Sequence, residues 1–294
     1  MSRHALSSRL RADDTVQIYL DIDRSRLNLV SDDPRWRVSG FGTQVGVLTV
    51  RSLRIAFSDY RLVFFGLLQP IVILLLFSQV FAGIGALPGI AEYSGYLNYL
   101  TPATLITIAV ITSMSSGAGI LAEIYTGFIG RLRTMPINLV AVLVARTLAD
   151  AVRLTLQLIT AVDAAVLFLG FEPAGIAGVV GAIAVSVVVG WGLSWVFVAI
   201  ATWQTKPELM QAASFVVMFP LMFGSSAYMP VDSMPTWIRV VSTVNPLTYA
   251  IDSARALALG TPVGSALAAT VALVTCAALI GGAAAARNVR KTAT

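Results

Sequence analysis

The sequence predicts an all-α integral membrane protein. Six transmembrane helices are expected, with an amphipathic interfacial helix ahead of the first and a short re-entrant or interfacial hairpin between the fifth and sixth. Three observations predict this. The 294 residues are 57% hydrophobic and only 12% charged, with a mean hydropathy of +0.81. A water-solvated domain carries about 25% charged residues, so lipid must solvate much of this surface. A hydrocarbon core about 30 Å thick needs about 20 apolar helical residues, and such stretches recur along the chain. Lys and Arg, finally, gather on one side of those stretches.

The elements follow in order. Residues 1–40 read as a polar cytoplasmic tail with paired acids at Asp13–Asp14 and Asp32–Asp33. No apolar run follows the start closely, so a cleavable signal is not expected. In residues 41–61, Val50, Leu53, Phe57 and Tyr60 recur on one helical face, with Arg51, Arg54 and Arg61 beside it. Such a helix can lie in the membrane interface, or can pack on the bundle as an ordinary cytoplasmic helix. The six spans are read near 62–82, 101–122, 139–169, 174–202, 209–229 and 263–286. Between the first two, Gly83, Gly85, Pro88 and Gly89 break the helix, and Tyr93, Tyr96 and Tyr99 suit an interfacial aromatic belt. Pro70 and Pro220 can kink the first and fifth spans. Small residues around Gly190 and Gly192 permit close helix approach in the fourth.

Orientation follows from the basic residues. With both termini inside, 18 of the 20 Lys and Arg fall on the cytoplasmic side, and only Arg239 and Arg255 lie outside. The expected location is the inner (plasma) membrane, multi-pass, with cytoplasmic termini. The pI of 9.7 does not imply nucleic acid, because the basic residues flank apolar spans.

Catalytic chemistry is sparse. Cys276 is the only cysteine and His4 the only histidine, which excludes an intrachain disulfide and leaves metal or triad chemistry without its usual groups. No phosphate-binding G-x-x-x-x-G-K-[ST] loop occurs, so no cofactor is expected on this chain. If ATP powers the protein, a second polypeptide must bind it.

Two polar stretches stand out. On the inside, Glu123 to Pro136 joins an acid at the end of a span to glycines, two arginines and a closing Met-Pro. It reads as a short amphipathic helix along the membrane face, or as a plain loop obeying the charge rule. On the outside, Phe223–Ile238 and Asn245–Arg255 carry Pro230, Pro235 and Asn245-Pro246 around an apolar helix too short to span. This reads as a re-entrant or interfacial hairpin.

These two stretches resemble the permease subunits of the ABC type-2 exporter family, especially its daunorubicin-resistance-like group. The inner match is Glu123, Gly127, Arg131, Leu132, Thr134 and Pro136. The more specific outer match is Pro230, Met234, Pro235, Trp237, Ile238, Asn245, Pro246, Leu247, Thr248, Tyr249 and Arg255. The resemblance covers residues 41–290 as one transmembrane domain; the tail before it is longer than the family core needs. It implies two copies of an ABC ATPase subunit carrying ATP and Mg. It also implies a second permease of the same or a homologous sequence and a surrounding membrane lipid. The chain itself would not be an enzyme. The segment with Glu123, Gly127, Arg131, Leu132, Arg133, Met135 and Pro136 would couple to the ATPases. The implied function is outward movement of a hydrophobic or amphipathic drug, lipid or glycolipid. A polysaccharide export permease of the same fold and an ion-coupled secondary transporter are the alternatives.

Polar groups inside the spans complete the reading. Arg146, Asp150 and Arg153 share one helix face and can pair with each other. Asp163 and Gln69 are candidates for the substrate path, with a hydrogen bond to a neighbouring helix as the structural alternative for Asp163. A secondary transporter would need coupling carboxylates at mid-membrane and internal repeats, and Asp163 is the single candidate for the first. An intramembrane enzyme would need a clustered acid, base or metal site, and the sequence presents none.

Overall fold

The computed structural model of the protein describes residues 40–80, 83, 90, 93, 95–128, 131, 137–204 and 206–291, excluding the side chains of 62 and 289–291. The tail through residue 39 and the coupling residues Leu132, Arg133, Met135 and Pro136 lie outside the described residues. Those described form α-helices and short helical turns only: α1 (Phe41–Ser58), α2 (Tyr60–Val80), α3 (Tyr96–Tyr125), α4 (Leu139–Ala164), α5 (Ile176–Trp203), α6 (Pro207–Phe223), α7 (Thr236–Val244), α8 (Pro246–Leu259) and α9 (Ala266–Lys291).

Five helices are long and apolar enough to cross a membrane, at Val63–Val80, Tyr96–Tyr125, Leu139–Leu169, Ile176–Trp203 and Ala266–Asn288. The stretch expected as the fifth span is shorter than read from sequence. Its helix α6 ends at Phe223, where Gly224 donates its N–H to the Pro220 carbonyl at 2.9 Å and turns follow. The long third stretch is α4 extended by a π-turn, Ala165–Leu169, stopped by Gly170 at φ 81°. Only a residue without a β-carbon holds that left-handed conformation cheaply.

α3 and α5 form the centre. α3 buries much of its surface, including Leu105, Ile106, Ala109 and Val110, and packs on α5, which also contacts α4, α8 and α9. The approach is close because Gly117 has no side chain: a β-carbon there would stand 2.7 Å from the Phe197 carbonyl oxygen. Gly190 lies against Leu154 and Ala109, and its carbonyl accepts the Ser113 hydroxyl at 2.7 Å. Small residues and hydroxyls thus do in lipid what hydrophobic exclusion does in water. Further across, Gln157 donates its side-chain N–H to the Gly66 carbonyl at 2.9 Å and accepts from the Thr112 hydroxyl at 2.9 Å, tying α2, α3 and α4.

α1 lies along the first turns of α4. Gln44 accepts the Asn138 backbone N–H at 2.9 Å, and Thr49 donates to the Ala145 carbonyl at 3.4 Å. Both pairs advance together, so the two helices run parallel. α1 buries no residue fully, and Val47, Val50, Ile55 and Phe57 stay exposed. One face therefore packs on the bundle while another stays apolar and open. Asp59 breaks the chain between α1 and α2 and caps the latter by accepting the Arg61 N–H at 2.9 Å.

Candidate functional site

Helix ends and their few polar side chains build the inner site. α3 ends at Tyr125, and Gly127 turns the chain with φ 66°. Its carbonyl accepts the Arg131 N–H at 3.0 Å. Just before that turn, Glu123 faces inward. Its Oε1 meets Arg146 of α4 at 3.4 Å, and the Nε of Arg146 donates to Asp150 Oδ2 at 3.2 Å. One guanidinium therefore serves two carboxylates from two helices. The Glu123 Oε2 is buried without a hydrogen-bond partner among the described residues.

Two further residues complete this junction. The Arg146 guanidinium lies over Gly119, where any β-carbon would overlap it. Arg51 of α1 stacks on the Phe128 ring with its guanidinium carbon 4.0 Å from the centroid. The sequence pattern did not single out Gly119 or Phe128; an i, i+4 Gly–Glu pair facing a span arginine was the available signal. Of the expected trio on α4, Arg146 and Asp150 pair, but Arg153 does not join them. It faces α2, near Gly66.

The outer site is a knot around Arg255 on α8, which is 4% exposed. Its Nε donates to the Tyr99 carbonyl at 3.2 Å, Nη2 to the Ser226 carbonyl at 3.0 Å and Nη1 to Asp252 Oδ1 at 2.9 Å. Its guanidinium also sits 3.8 Å above the Tyr99 ring. The Tyr99 hydroxyl donates to the Ser226 carbonyl at 2.7 Å, and the Ser226 hydroxyl to Asp252 Oδ1 at 2.8 Å. Tyr96 and Tyr99 are buried, which corrects their expected place in an interfacial belt. A buried guanidinium needs carbonyls and an aromatic face more than lipid needs the rings.

Asn245 explains the Asn-Pro pair. Its Oδ1 accepts the Leu247 N–H at 2.9 Å, capping α8, while Pro246 occupies the first helical position, where no N–H is needed. Its Nδ2 donates to the Leu221 carbonyl at 2.6 Å and the Gly224 carbonyl at 2.9 Å, closing the end of α6. Tyr249 donates to the Thr243 carbonyl at 2.7 Å and closes α7. Pro235 precedes the first turn of α7, and Pro230 precedes the short turn Val231–Ser233. Trp237 is exposed and, with Phe219, Phe223 and Val241, borders an apolar cleft of ≈ 660 Å³.

Two substrate-path candidates lie apart. Gln69 is exposed on α2 beside an amphipathic cleft facing α4. Asp163 is exposed near the far end of α4, two residues before the π-turn, and among the described residues is not brought to any acid or base cluster. Among the described residues no group of three metal-ligating side chains occurs.

Residues 43–259, which hold both the inner junction and the outer knot, match the family model described as ABC-2 type transporter. The chain belongs to the ABC-2 type transporter family. Among its relatives is the daunorubicin resistance ABC transporter permease protein DrrB1 of Streptomyces coeruleorubidus, 32% identical over 195 residues, or 66% of this chain and 67% of the relative. Another is the "Probable doxorubicin resistance ABC transporter permease protein DrrC" of Mycobacterium tuberculosis, 24% identical over 206 residues, covering 70% and 73%. As an ABC-2 transporter chain, the protein is a multi-pass membrane subunit of an ABC exporter. Both sites described above lie inside the matched range.

Proposed function

We propose that this chain is the permease of a hydrophobic-drug or lipid exporter, driven by two copies of an ABC ATPase that dock on its cytoplasmic face. In this reading α6 and the turns after it serve as the fifth of six spans. α7 and α8 then form the outer re-entrant pair, and both termini are cytoplasmic at the inner membrane. The charge distribution supports that orientation. A second permease, identical or homologous, completes the complex; the exposed apolar residues of α6 and α7 support such pairing. Drug-resistance permeases among the relatives support an amphipathic cargo.

The observation that carries the reading is the linked inner junction. The end of α3 is joined to α4 through Glu123 and Arg146, and Phe128, just beyond it, is joined to α1 through Arg51. A partner pushing on that segment would move three helices together. An ion-coupled transporter is disfavoured because Asp163 sits exposed near a helix end rather than in a polar cluster at mid-span.

The test is Arg131→Glu with Arg133→Glu in the complete complex at matched expression. Losing an interfacial charge pair costs about 2–5 kcal/mol, so ATPase capture should fall at least tenfold and transport with it. Unchanged capture and transport would return the segment to an ordinary inside loop.

A further inference from the structure

We propose that the cleft between α1, α2 and α4 binds the phosphate of a phospholipid in the cytoplasmic leaflet. The cleft has a volume of ≈ 450 Å³ and is amphipathic. Its polar wall holds Ser52, Gln69, Arg146, Asp150, Arg153 and Gln157. Three of these are committed. Arg146 and Asp150 pair with each other, and Gln157 is spent on Gly66 and Thr112. The other three are donors with no hydrogen bond to another described residue: the Arg153 guanidinium, the Gln69 amide and the Ser52 hydroxyl. Arg153 also has no carboxylate within ion-pair distance among the described residues, and Asp150, one turn before it, pairs with Arg146.

Depth selects the ligand. Arg153 stands beside Gly66, within the apolar stretch Val63–Val80 of α2. A guanidinium held there without a counter-charge is costly, and a phosphate diester is its best geometric match. The rest of the wall is apolar, with Ile55, Phe57, Val63, Phe65 and Leu156. Phe65 and Leu156 are exposed on the flank of the bundle, so the cleft opens toward acyl chains rather than toward bulk water. A free phosphate ion would use the donors and leave the apolar wall empty. α1 roofs the cleft from residues Ser52 to Phe57, which distinguishes it from a side chain merely reaching for the interface. The bound lipid would therefore clamp α1 and α2 onto α4, beside the Arg146 junction. Which leaflet supplies it rests on the orientation proposed above; the phosphate site does not.

The experiment uses the purified full chain in detergent and native mass spectrometry. Phosphatidylglycerol is titrated against diacylglycerol with the same acyl chains, which lacks the phosphate. Phosphatidylglycerol adducts should survive and diacylglycerol adducts should not. Arg153→Ala should weaken phosphatidylglycerol binding about tenfold, as expected for loss of a charge-assisted pair. Arg239→Ala, at the outer end, should leave it unchanged. Gln69→Leu, a gentler change, should weaken it about threefold and guards against a misfolded arginine variant. Equal binding of the two lipids, or undiminished binding by both Arg153→Ala and Gln69→Leu, overturns the proposal. Displacement of the lipid by millimolar inorganic phosphate alone would overturn the lipid as its source. Neither readout involves the ATPase or transport, so failure here leaves the exporter reading untouched.

Discussion

Removing the cation that joins α3 to α4 should expose how the inner junction is held. Arg146 meets Glu123 at 3.4 Å and Asp150 at 3.2 Å, with side chains 24%, 19% and 11% exposed. An open surface pair contributes about 0–1 kcal/mol, whereas breaking a buried one costs about 3–5 kcal/mol. The junction lies between these limits. Arg146→Gln should therefore destabilise by about 2 kcal/mol, because two carboxylates lose one cation. Glu123→Gln should cost about 1 kcal/mol, since Arg146 keeps Asp150. The double variant should cost less than the sum by about 1 kcal/mol, the signature of direct interaction. Gly119→Ala should act like a mild Arg146→Gln, because the added methyl takes the place of the guanidinium. Steric-trap unfolding in bicelles measures the cycle. Substrate-stimulated ATP hydrolysis by the assembled complex, read in parallel, should fall for Arg146→Gln. Additivity within about 0.5 kcal/mol would mean that the two residues do not communicate, and the junction could not transmit movement as argued.

Three other outcomes follow from the packing. Asn245→Ala removes a helix cap and two bonds to the Leu221 and Gly224 carbonyls at the end of α6, and should lower stability by about 2–3 kcal/mol in the same unfolding assay; a loss under 0.5 kcal/mol would deny the cap its role. Gly117→Ala forces α3 from the Phe197 backbone and should cost about 1–3 kcal/mol, with thermal inactivation at lower temperature as the readout. Asp163→Asn, at an exposed position, should leave the proposed export activity unchanged at matched expression; abolished export would revive a proton-coupled mechanism.

Much of the fold and part of the site were legible from residues alone. Long apolar runs must be helices because lipid offers the backbone no partner, so the helices could be placed without any tertiary knowledge. The Asn245-Pro246 start of α8 was similarly visible, since capping is local chemistry. The length of α6 was not legible. Past Gly224-Ser225-Ser226 the chain is apolar again at Ala227, Tyr228 and Met229, and the bonds from Asn245 to Leu221 and Gly224, 24 and 21 residues away, help close the helix at Phe223. The fates of Tyr99 and Arg255 were hidden for the same reason: tyrosines near a span end suit lipid headgroups, until an arginine 156 residues later claims their carbonyl and ring. On α4, the i, i+4 spacing of Arg146 and Asp150 predicted their pairing, but Glu123 competes for the same guanidinium from another helix, and Arg153 turns toward α2. Composition and periodicity act through solvent and neighbours in sequence, so they determined that this chain lives in a membrane and where its helices run. Which charges meet, and which donors remain free, was decided by contacts between helices, because a buried charge takes the best partner within a few ångströms in space, whatever its distance along the chain.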